Sequence, residues 1–209
     1  MKLIVLADEI LKAELLSNGI QANTEIHWIQ TASEFSKFQD VDGYIDLLFD
    51  SSDERIKLLK QLSATVIINS VEKTLEFSDV RFIRINAWPT FLARTTIEAS
   101  GHDNHQKLQA EFFFQALNKK IEWLPDEPGF VSARVVAMII NESWYALNEE
   151  VSAKTDIDIA MKLGTNYPFG PFEWCTKIGE EKIIALLNEL GKKNPRYLPA
   201  KLSEKKALQ

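Results

Sequence analysis

Short apolar runs of four to six residues recur at 3–7, 26–29, 44–49, 65–68 and 82–85, and the stretches between them are polar or helically spaced. Runs of that length are strand-sized, and their regular return between helical segments predicts a parallel sheet with crossover helices. The intervening helices are expected at 9–17, 52–62 (capped by Ser51 or Ser52) and 72–77. Beyond residue 100 the texture changes. A longer helix is expected at 103–119 and a last strand at 121–124, and everything after Pro128 reads as helix, broken at 166–170 and ended near Gly191. Glycine usage shifts with it, from Gly19 and Gly43 in the first hundred residues to six in the rest. The expected organisation is an α/β domain over 1–126 followed by an all-helical domain over 127–209.

With 45% apolar residues in 209, the chain has enough hydrophobic side chains for one large core or two modest ones. A net charge of -6 without a clustered basic stripe argues against nucleic acid and anionic membrane as partners, since both select for Lys and Arg. The run at 3–7 is too short for a signal-peptide core and no apolar stretch approaches membrane-spanning length, so a cytoplasmic location is expected. Cys175 is the single cysteine, which excludes an intrachain disulfide and a multi-cysteine zinc site, and it reads as a buried, inert thiol.

The first strand-to-helix turn reads Leu6-Ala7-Asp8-Glu9 and holds no glycine. A dinucleotide-binding turn is glycine-rich, so that the backbone can touch a pyrophosphate on the helix N-terminus. Here two carboxylates stand where positive potential would be needed. Asp8 reads instead as an N-cap and Glu9 as a first-turn partner of the helix dipole. After the second strand, Ile29 is followed by Gln30 and Thr31, so no acidic residue is placed to hold a ribose.

Two later runs carry a resemblance: Pro125-Asp-Glu-Pro-Gly-Phe-Val-Ser-Ala-Arg134, and Asp156-Ile-Asp-Ile-Ala-Met-Lys-Leu-Gly-Thr-Asn-Tyr-Pro-Phe-Gly-Pro-Phe-Glu-Trp174. Together they resemble the C-terminal domain of the 3-hydroxyacyl-CoA dehydrogenase family, and Arg196-Tyr197-Leu198-Pro199 resembles its tail. Each has an architectural reason: Pro128 and Gly129 set a turn into a helix, Asp156 is suited to cap one, and Gly170-Pro171 places proline in a first turn. The first half resembles a shortened Rossmann-like domain of that family. The long helical hairpin that contacts CoA in the family is absent between Ile29 and Tyr44.

The resemblance implies an NAD site, a histidine base held by a glutamate, and polar groups that hold a thioester. By the family's spacing Glu98 survives, but the histidine position falls on Asn86, whose amide accepts no proton near neutral pH. Losing a positioned base costs on the order of 10²–10⁴ in rate. The family's helix asparagine is Ala133 here, and its Ser-Asn-Thr-Ser turn reads Asn69-Ser70-Val71-Glu72. The expected ligand cleft is therefore Asn69, Ser70, Asn86 and Ala133, with Glu98 a vestigial catalytic residue and no cofactor site left for NAD.

Other clusters read as structural. His102, Asp103 and His105 sit at a helix start where Asp103 is a natural cap, so no metal is expected. His27 falls on a strand expected to be buried, Trp123, Trp144 and Trp174 suit helix packing, and the lysines from Lys192 to Lys206 suit a solvated terminus. Three roles stay open. One is binding or regulation in acyl-CoA metabolism without hydride transfer, another is activity on 3-hydroxyacyl-CoA through a rearranged site of Glu98, Asn86 and Ser70, and the third is an interaction module for a full-length homologue. A homodimer is expected through the helices 131–149 and 172–190, where apolar residues cover more than one stripe.

Overall fold

The computed structural model describes residues 1–77 and 81–200, which fall into two compact units, Met1–Phe130 and the chain from Val131 on. The first unit is built on a seven-stranded sheet in the order β2-β1-β3-β4-β5-β6-β7. Its strands are β1 (Lys2–Leu6), β2 (Glu25–Ile29), β3 (Gly43–Asp46), β4 (Thr65–Asn69), β5 (Phe82–Ile85), β6 (Thr96–Ser100) and β7 (Lys120–Trp123). All neighbours run parallel except β5 and β6. Among the described residues, three α-helices connect them: α1 (Glu9–Leu16), α2 (Asp53–Leu59) and α3 (Asn104–Ala116). The arrangement is Rossmann-like.

Strand side chains alternate between the faces of a sheet, and the core follows that parity. Leu3, Val5, Ile45, Ile67, Ile83 and Ile85 pack with Leu11 and Leu15 of α1 and Phe113 and Phe114 of α3. Ile4, Leu6, Tyr44, Val66, Ile68 and Phe82 pack on the other side with Phe35, Leu59 and Leu62. Glycine is required at position 43, because a Cβ there would lie 2.3 Å from the Phe113 ring. The helix starts follow the expected caps: Asp8 accepts from Leu11 N, Ser52 from Arg55 N and Asp103 from Gln106 N.

Several local expectations are corrected. The strand expected over 44–49 stops at Asp46, whose carboxylate accepts the Leu48 amide and folds the chain into an Asx turn. The helix expected over 72–77 is only a 3-10 turn, Leu75–Phe77, because Ser70 Oγ donates to Lys73 O and Leu75 N donates to Asp126; residues 78–80 lie outside the described residues. The α3 helix ends at Ala116 rather than 119, with Asn118 in a left-handed conformation (φ 53°). A 3-10 helix at Ala32–Lys37 was not expected; Glu34 nucleates it by accepting from Gln30 N and Thr31 N. His27 is exposed on an edge strand, against Phe38, rather than buried.

The second unit holds four helices among the described residues: α4 (Ser132–Asn148), α5 (Lys154–Thr165), α6 (Pro171–Ile178) and α7 (Glu180–Gly191). The chain enters it through Gly129 (φ 81°), and Pro171 takes the first turn of α6. Gly179, at φ 101°, separates α6 from α7, a break the sequence pattern did not show. Asp156 does not cap α5: the helix begins at Lys154, which leaves Asp156 in the first turn, still favourable to the dipole. Trp144 meets Phe172 edge-on at 5.2 Å. Asn141 clamps the closing segment, donating to Leu198 O and accepting from Ala200 N. Lysines beyond Ala200 lie outside the described residues. Among those described, no helix is long and apolar enough to cross a membrane.

Candidate functional site

The carboxyl ends of β4 and β5 and the facing part of β6 bring four of the expected residues together in the first unit. Asn69 ends β4, Ser70 follows it, Asn86 follows β5, and Glu98 lies at the centre of β6. Their roles differ. Asn69 donates to Leu47 O and Ala87 O (3.2 Å each) and accepts from Ala87 N (3.1 Å), so it ties the ends of β3, β4 and β5 together. Ser70 is buried and its hydroxyl donates to Lys73 O. Both side chains are engaged with backbone groups of the framework. Their short polar side chains suit turns, where they satisfy backbone groups that no ladder reaches.

Asn86 and Glu98 remain as a pair. Asn86 Nδ2 donates to Glu98 Oε2 at 2.9 Å, while the Asn86 backbone amide donates to Glu98 O. Asn86 is buried and Glu98 half-buried. A carboxylate held by an amide is oriented, but an amide neither takes nor gives up a proton at ordinary pH.

The surrounding turns are fastened by residues whose part the sequence did not disclose. Trp88 Nε1 donates to Glu72 Oε1 at 3.0 Å, linking the exits of β4 and β5. Arg84 is fully buried on β5, pairs with Asp126, donates to Ser70 O and Glu127 O, and lies 4.0 Å from the Phe130 ring. Burial lowers its pKa and Asp126 opposes the shift. The only sequence signal for Arg84 is a charge inside an apolar strand run. Ala133 belongs to the second unit, buried in the first turn of α4, where its methyl offers no hydrogen bond.

At the other part of the sheet the strand order reverses between β1 and β3, the switch point where folds of this type open a crevice for ligands. The groups there are acidic. Asp8 caps α1, its Oδ1 accepting from Leu11 N at 2.8 Å. Asp46 is fully buried and paired with Arg55 at 2.6 Å, and Asp50 lies 3.7 Å from the same guanidinium. Burial pushes the Asp46 carboxyl up to about 6 against the pull of Arg55. One arginine thus faces two carboxylates, and the amide that a bound anion would need at the start of α1 is engaged by Asp8.

His102, Asp103 and His105 do not converge: Asp103 caps α3 and His102 reaches toward Asp126 at 3.7 Å.

Comparison with known proteins reads the second unit directly. The family described as "3-hydroxyacyl-CoA dehydrogenase, C-terminal domain" matches residues 129–208. Those residues, most of the second unit, carry the C-terminal domain of that family. A 3-hydroxyadipyl-CoA dehydrogenase of Escherichia coli (strain K12) is 40% identical over 102 residues, covering 48% of this chain and 22% of that protein. A 3-hydroxybutyryl-CoA dehydrogenase of Bradyrhizobium diazoefficiens is 26% identical over 191 residues, 83% of this chain and 65% of the relative. The chain thus spans less than two thirds of either. In fold, the crystal structure of (S)-3-hydroxybutyryl-CoA dehydrogenase from Ralstonia eutropha has a TM-score of 0.72 at 18% identity, covering 95% of this chain and 90% of that one. The first unit, outside the matched residues, has a glycine-free first turn and an asparagine beside the strand glutamate.

Proposed function

We propose that this chain has kept the fold of the 3-hydroxyacyl-CoA dehydrogenase family and lost hydride transfer, acting by binding or regulation in acyl-CoA metabolism, in the cytoplasm. The observation that carries the proposal is the Asp8 cap: a carboxylate of the chain itself occupies the helix N-terminus on which a pyrophosphate would lie. The residues at the switch point do not fit NAD, since Asp46 and Asp50 add negative charge that Arg55 only partly offsets. Asn86, at the position where the resemblance places the base, supports the same reading.

Thermal shift with NAD, acetoacetyl-CoA and CoA tested separately decides the matter, because a ligand that favours the native state raises the midpoint by mass action. The proposal expects a shift with acetoacetyl-CoA or CoA and none with NAD. A shift with NAD instead favours the second reading, an active enzyme with a rearranged site, for which the retained Asn86–Glu98 bond is the specific support.

The proposed partner is a second copy of the chain, joined through the helical unit; a full-length homologue would use the same face. The expected face runs along the helices 131–149 and 172–190. Ile183, Leu186, Leu187 and Leu190 of α7 are already buried, whereas Val131 and Val135 at the start of α4 and Ile159 and Leu163 of α5 are exposed, and α5 has no buried residue. A helix whose apolar face is exposed among the described residues offers a face for association.

A further inference from the structure

Segment 88–94, which runs from the end of β5 toward β6, is held by side chains rather than by a sheet ladder. Glu14 of α1 accepts the Thr90 amide at 2.7 Å. Ser17 Oγ and Asn18 Nδ2 donate to Ala93 O, both at 3.1 Å. Lys119, between α3 and β7, donates its ammonium to Leu92 O (2.8 Å) and Arg94 O (3.1 Å) and lies 3.4 Å from Ser17 Oγ. Lys119 is only 2% exposed. Thr90 sits at φ 80°, a conformation that a β-branched residue adopts only where its surroundings impose it. Glu14 Oε2 and the Thr90 hydroxyl are buried without a hydrogen-bond partner among the described residues. The clamp therefore encloses a lysine and part of a glutamate, a strained residue and two unsatisfied polar atoms, all of which solvent would relieve.

We propose that segment 88–94 is a latched strap, closed by Lys119 and Glu14 and opened by releasing them to solvent. Because the strap begins two residues after Asn86, its opening reaches the candidate site: Asn86 Oδ1 accepts the Trp88 amide, and the Trp88 indole is bonded to Glu72. The device does not depend on what that site binds.

Burial of Lys119, set against the charged groups around it, fixes the sign. Glu14 on α1 faces it and favours its proton, but burial dominates and brings its pKa down to about 8. Arg94 of the strap lies over the Phe91 ring and within the field of Glu98 on β6. Lys120 on β7 is exposed. In an open strap the lysine returns to its ordinary, higher value, so protonation favours opening. Between pH 7 and pH 9 the open fraction then falls about tenfold.

Hydrogen exchange of the whole chain, read on a peptide spanning the strap and corrected for the intrinsic hydroxide-driven rate, tests this. The expected result is about tenfold greater protection of the strap at pH 9 than at pH 7, with the difference lost in Lys119→Met. Equal or lower protection at pH 9 in the wild-type chain overturns the proposal, as does a pH difference that persists in Lys119→Met. If that variant does not fold, Glu14→Gln replaces it: without the facing carboxylate the change in protection must move to lower pH, and a change that stays in place contradicts the latch.

Discussion

The side chain of Asn86 donates to Glu98 across two antiparallel strands, at 2.9 Å, and this bond joins the end of β5 to the centre of β6. It keeps a carboxylate oriented without supplying a base. Replacing the asparagine by histidine gives Glu98 an imidazole to orient, yet a base with no hydride acceptor completes no oxidation. Neither the wild-type chain nor Asn86→His is expected to generate NADH absorbance from 3-hydroxybutyryl-CoA and NAD above a no-enzyme control. Absorbance in the wild type contradicts the proposed function, and absorbance in the variant alone shows that only the base was missing.

Arg84 is the second residue on which the site's framework depends. Its guanidinium holds Asp126, Ser70 O and Glu127 O, so removing it takes the counter-charge from a largely buried carboxylate and a donor from two carbonyls. Arg84→Met is expected to cost about 3–5 kcal/mol in stability, the range for breaking one side of a buried pair. Denaturant unfolding checks it; a loss below about 1 kcal/mol, typical of an exposed pair, contradicts the role assigned to Arg84.

Asp46 gives a pH dependence of definite sign. Its folded-state pKa, about 6, lies above the ordinary 3.8, so between those values the native state binds a proton that the unfolded state has lost. The contribution of Asp46 to stability is therefore greatest below pH 4 and declines as pH rises to 6, by about 3 kcal/mol. Subtracting the unfolding free energies of Asp46→Asn from those of the wild type across pH 4–7 isolates the effect. A difference that is flat, or that rises with pH, sinks the assignment.

How much of this was legible in the sequence depended on whether a feature was local. The β/α alternation, the Asp8, Ser52 and Asp103 caps and the Pro171 helix start are set by residues within a few positions of one another. The end of β3 at Asp46 was missed because an apolar run, Leu47-Leu48-Phe49, continues past the Asx turn. That Asn69 and Ser70 lie in a polar turn at the end of a strand was legible, but the groups they hold were not. Those of Asn69 lie 18 and 22 residues away, and Ser70 O is taken by an arginine 14 residues on. Lys119 has no local signal at all, since the carbonyls it holds lie 25 and 27 residues earlier. The apolar stripe of α7 was visible as a stripe, while whether it faced a partner or its own unit was decided by packing.

Association through α5 predicts a mass of twice 23.8 kDa by light scattering at micromolar concentration. Leu163 is 83% exposed, so Leu163→Glu should leave the fold intact, within about 0.5 kcal/mol, and return a single-chain mass. A wild-type chain that scatters as one copy rejects the proposed dimer, and a dimer indifferent to Leu163→Glu rejects the proposed face.

The claim that a Rossmann-like unit has closed its nucleotide site is tested most directly by titrating the chain with NADH in a calorimeter. With Asp8 on the start of α1 and Asp46 and Asp50 at the switch point, no binding is expected at sub-millimolar concentration. A dissociation constant below about 100 μM, roughly -5.5 kcal/mol, contradicts the account.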